Sequence, residues 1–115
     1  MKKKVVVLSP YARDVRELSR ISQYLEYEII YDDFIRSWLL QFENLIYQVP
    51  CSPRTALTIE ACVNHVVKLY KDANIDGVLN SDDYPASIIT SLVAQRLGLS
   101  GLSPDLVLQC EHKYY

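Results

Sequence analysis

The residues of this 115-residue sequence whose types could do chemistry fall in two short turns. Ser9 and Arg13 stand in Ser9-Pro10-Tyr11-Ala12-Arg13-Asp14, directly after one apolar run, and Asp82-Asp83 stand directly after another. A hydroxyl and a guanidinium where a helix begins can meet an anionic group, because free first-turn amides and the helix dipole favour negative charge there. The same residues serve equally as a capped helix start with a solvated arginine. Adjacent carboxylates can hold an amine or a hydroxyl, or move a proton. They can also cap the helix that follows and complement its positive end, which needs no ligand. The first turn has neither GxGxxG nor GxxxxGK followed by Ser or Thr. Without glycine the backbone cannot approach a pyrophosphate closely, so independent dinucleotide binding is not expected.

Other constellations carry less. His65 falls on the polar side of its helix, and His112 neighbours Glu111 without a second ligand at suitable spacing, so no metal is expected. Cys51, Cys62 and Cys110 are odd in number and widely spaced, with no CxxC pair, and read as reduced thiols. Cys110 and His112 are two apart on a helix and point in different directions, which excludes a nucleophile and base pair. Tyr24, Tyr27, Tyr31 and Trp38 suit a cofactor slot or plain core and rim packing. A formal charge of -2 gives no footprint for nucleic acid, and Lys2-Lys3-Lys4 reads as a solvated lead-in to a strand. No run approaches the ~18 apolar residues of a membrane span, and the apolar stretch before Ser9-Pro10 is too short for a signal peptide. A cytoplasmic protein without membrane contact is expected.

The elements that position these turns alternate. Lys3 to Ser9 is a continuous apolar run, as in a strand covered on both faces, and reads as the central strand. Val15, Leu18, Ile21 and Leu25 then share one helical face, with Arg13, Arg16, Glu17 and Arg20 on the other. Glu28 to Tyr31 is a second strand. Asp32-Asp33 can cap a helix with Ile35, Trp38, Leu39 and Phe42 inward, although the aromatic and β-branched content around Trp38 also suits a strand, and Leu45 to Val49 is a third strand candidate ended by Pro50 and Pro53. From Thr58 to Ala73, Ile59, Cys62, Val63, Val66, Val67 and Tyr70 form a clean apolar stripe. Gly77 to Asn80 is a fourth strand, and Pro85 opens a helix with Ile88, Ile89, Leu92, Val93 and Leu97 at helical spacing. Gly98 and Gly101 bracket a very short strand, and Ser103-Pro104-Asp105 restarts a helix. The alternation implies one α/β domain over 1–115, with a mainly parallel, Rossmann-like doubly wound sheet of four to five strands and helices on both faces. Ligands in such sheets sit beyond the carboxyl ends of the strands.

A strand ending in two acids, a helix closing in RLGLSGLSP and then CEHKYY resembles the end of the pre-ATP-grasp domain in ATP-grasp ligases, in the biotin carboxylase and carbamoyl phosphate synthase branches. The specific part covers Asp76 to Tyr115. The resemblance implies a non-catalytic N-terminal domain forming one wall of a substrate cleft. In the whole ligase a carboxylate substrate is activated as an acyl phosphate and captured by an amine or other nucleophile. It implies polar residues of the Asp82-Asp83 turn beside that cleft, and Lys113 reaching ATP. The partner is then the C-terminal ATP-grasp domain of the same gene product, and ATP and Mg2+ belong to the full-length protein; none is expected for this chain alone. Left without that partner, the surface around Leu106, Val107, Cys110, Tyr114 and Tyr115 is expected to fray or bury itself in a homodimer. The alternative is a free-standing Rossmann-like module that binds a small ligand or a protein without catalysis. A phosphorelay receiver is disfavoured, since Ser9-Pro10 and Pro50-Cys51 stand where its acids belong.

Overall fold

The computed structural model describes residues 3–24, 26–38, 40–41, 53–81, 85–101, 103–104 and 106–107. Lys3–Leu8 forms β1, Ala12–Ile21 forms α1, and a 3-10 turn over Ser22–Tyr24 leads to β2, Tyr27–Asp32. Residues 34–38 and 40–41 are helical and are labelled α2. Then come α3 over Pro53–Tyr70, β3 over Gly77–Leu79 and α4 over Ala86–Arg96.

The valine-rich run is the central strand, as its composition predicts. Among the described residues the sheet has three strands in the order β2-β1-β3, and both pairings are parallel. Val5 pairs with Ile29 on one side and Gly77 on the other, and Val7 pairs with Tyr31 and Leu79. Alternate side chains of β1 therefore serve two faces. Val6 and Leu8 enter a core with Ile35, Ile59, Cys62, Val63, Val66, Ile89 and Val93, against which Ile30, Phe34, Trp38, Tyr70, Val78 and Leu92 pack. This is the face of α2, α3 and α4. Val5, Val7 and Ile29 turn to the other face, where Leu18 of α1 shares a groove of about 530 Å³ with them.

The stripe of α3 is buried as its spacing predicts, although the helix begins earlier, at Pro53. Proline fits there because its missing N–H is an orphan in a first turn anyway. The expected inward face of α1 is covered only in part: no residue of α1 is buried, and Ile21 is 47% exposed.

One further expectation changes. Leu99, Ser100 and Gly101 form no strand. Instead Gly98, at φ 70°, closes α4, its N–H donating to Gln95 O while Leu99 N–H donates to Ala94 O. These are the two bonds of a Schellman cap, and they commit the Gly98–Leu99 backbone to ending a helix. A helical turn does restart at Pro104, where Leu106 N–H donates to Ser103 Oγ and Val107 N–H to Ser103 O. Val107 is buried and Leu106 is exposed. The proposed strand Leu45 to Val49, and Leu25, Leu39, Phe42, Cys110, Tyr114 and Tyr115, lie outside the described residues. Among the described residues no helix is long and apolar enough to cross a membrane.

Candidate functional site

The carboxyl ends of β1 and β3 open onto one rim because their helices leave toward opposite faces of the sheet, α1 to one and α4 to the other. Ser9 ends β1 at φ 57°, a left-handed conformation uncommon for a residue with a side chain. Its N–H donates to Asp32 O at 2.7 Å, and its hydroxyl, on a residue 1% exposed, has no partner among the described residues. Arg36 holds this turn from α2. Its Nη2 donates to Ser9 O at 2.7 Å and its Nη1 to Pro10 O at 2.6 Å, while the guanidinium lies 4.0 Å over the Tyr11 ring.

Asp14 ties the first turn to the third. Its Oδ2 accepts Tyr11 N–H at 2.9 Å and the Ser81 hydroxyl at 2.5 Å. The Ser81 bond, then the Tyr11 bond, holds the Asp14 carboxyl below the usual carboxylate range. An acid at the head of α1 also complements the helix dipole, so the place where an external anion would sit is taken by the chain's own carboxylate. Asn80, last before the turn, donates to Thr90 Oγ1 at 2.6 Å and to Ala86 O at 3.3 Å, fixing the start of α4 to the end of β3.

Arg13, its side chain 69% exposed, lies with Asp14, Glu17, Leu79, Asn80 and Ser81 around a cleft of about 310 Å³. Ser9 is not among the residues lining it. The two candidates of the first turn are thus separated: Arg13 faces the β1/β3 rim, and Ser9 is buried beneath it. Asp82, Asp83 and Lys113 lie outside the described residues; Ser81 precedes the two acids directly at that rim. His65 is exposed, as its position on the polar side predicts, and its ring stacks on Phe34 at 4.2 Å. Among the described residues no group of three or more His, Cys, Asp or Glu could hold a metal.

Sequence reasoning missed Arg36 and Tyr70. The apolar stripe of α3 places Tyr70 against the core, and its hydroxyl donates to Asp32 Oδ2 while Asp32 Oδ1 accepts Phe34 N–H at 2.8 Å, the cap expected of this acid. Burial and then the bond to Asp32 push the Tyr70 phenol well above its ordinary range. Burial pushes the Cys62 thiol up to about 12, which makes it an inert core side chain. No protein-family model, no curated protein and no solved structure matches this chain.

Proposed function

We propose that this chain is the N-terminal, substrate-side domain of an ATP-dependent ligase of the ATP-grasp kind, without catalysis of its own. In this reading the sheet is the Rossmann-like, doubly wound kind, with Leu45 to Val49 as a further strand. A carboxylate substrate lies along the β1/β3 rim, where Arg13 supplies a cation and Asp82 and Asp83 supply acceptors. ATP and Mg2+ are held by an ATP-grasp domain that follows, and Lys113 reaches the nucleotide from this side. The observation that carries the reading is the Ser81–Asp14 hydrogen bond, which joins the β1 and β3 turns into one rim directly before the two acids. The run from Asp76 to Tyr115 supports it from the sequence side.

Calorimetric titration with ATP tests the proposal on two proteins, this chain and a chain extended through the following domain. The expected result is no detectable binding or ATP turnover by the 115-residue chain, and clear binding by the extended one that falls when Lys113 becomes alanine. Tight ATP binding by the short chain, or wild-type affinity in the extended Lys113→Ala variant, overturns it.

A further inference from the structure

We propose that the cleft between the β1–α1 and β2–α2 turns binds a zwitterionic small molecule, an α-amino acid. The inference goes beyond the ligase reading and does not depend on it. The cleft measures about 590 Å³, and Tyr11, Val15, Asp32, Asp33, Arg36 and Leu40 are among its walls. It exists because α1 and α2 leave neighbouring strands toward opposite faces of the sheet, so their turns part at the carboxyl edge.

Its walls carry fixed charges of both signs that do not meet. Arg36 is anchored by Ser9 O, Pro10 O and the Tyr11 ring, and Asp32 by Phe34 N–H and the Tyr70 hydroxyl. Among the described residues neither Asp32 nor Asp33 forms an ion pair with Arg36. A free arginine beside two carboxylates collapses onto them. Here neutral dipoles hold each charge in place without neutralising it, so a ligand bearing both signs meets two partners already set at a fixed separation.

Both anchors have capacity left. A guanidinium has five N–H donors and a carboxylate about four lone-pair sites, and the bonds named occupy two of each. Because the anchors are already ordered, little side-chain freedom is lost on binding. The ligand ammonium then meets Asp32, with Asp33 beside it, and the ligand carboxylate meets the unused donors of Arg36. Val15 and Leu40 offer an apolar wall for an aliphatic side chain.

The test titrates the 115-residue chain calorimetrically with L-leucine and with its two halves, isocaproate, which lacks the ammonium, and isoamylamine, which lacks the carboxylate. Leucine is expected to bind in the millimolar range or tighter, with each half at least tenfold weaker. Asp32→Asn loses the charge and leaves one oxygen for the two donors, Phe34 N–H and the Tyr70 hydroxyl, so it is expected to weaken leucine binding about tenfold and to lower the unfolding midpoint as well. Should that variant fail to fold, Asp33→Asn, whose side chain anchors nothing among the described residues, gives the same direction with a smaller loss. The proposal is overturned if either half binds as tightly as leucine, if a folded Asp32→Asn or Asp33→Asn variant binds as the parent does, or if no common amino acid binds at millimolar concentration.

Discussion

Ser9 costs this protein stability twice. Its φ of 57° strains a residue with a side chain, and its buried hydroxyl finds no partner among the described residues. Ser9→Gly removes both penalties and keeps the N–H bond to Asp32, so urea unfolding should show a gain of about 1 kcal/mol. A loss instead would mean that the hydroxyl is bonded. Tyr70 carries the opposite sign. Its phenol, ordinarily at 10.0, is held higher by burial and by Asp32. As pH rises past the ordinary value the unfolded chain releases this proton first, so the folded state binds more protons and stability declines. That contribution is full below about pH 10 and drains above it. Tyr70→Phe should cost about 1–3 kcal/mol near neutrality, for a hydrogen bond to a charged group, and should flatten the alkaline decline. Unfolding midpoints measured from neutral to alkaline pH check both.

At the scale of elements, α3 was the most legible part of the chain because Ile59, Cys62, Val63 and Val66 repeat at helical spacing and all four are buried. Val66→Ala should cost about 1–3 kcal/mol from lost burial and an incompletely collapsed cavity, and a change within error in chemical unfolding would mean that the stripe is misassigned. The stripe of α1 is as periodic, yet none of it is buried, because a sequence pattern states which side is apolar and not how much sheet lies under it. Leu99 to Gly101 has strand-like composition, but the cap at Gly98 claims its first amide. The rim was half legible. Two polar turns after two strands could be read directly, whereas Arg36 bonds to carbonyls 26 and 27 residues away and Tyr70 to an acid 38 away. Contacts of that span leave no periodic trace.

The whole molecule is tied together by contacts between segments far apart in the chain. Lys4 N–H donates to the Asp76 carboxylate at 2.8 Å across 72 residues, and Asp76 N–H returns a bond to Lys4 O at 2.7 Å. No hairpin joins any two described strands, so every pairing waits on a crossover, and loop closure must be met before burial rewards it. A chain ended at Tyr70 lacks β3 and α4, and with them Ile89 and Val93 of the core. It should give a coil-like far-UV spectrum and no cooperative unfolding transition; a sharp transition would show that β1 and β2 fold without β3. During synthesis β1 is therefore the first of the three described strands to emerge and the last to be paired along both edges. Val5, Val6 and Val7 spend that interval as an unpaired, uncharged β-prone segment, the kind that joins neighbouring chains into aggregates. Lys2-Lys3-Lys4 stands directly before them. Three like charges at the mouth of such a run repel a second copy, so these lysines guard the nascent fold.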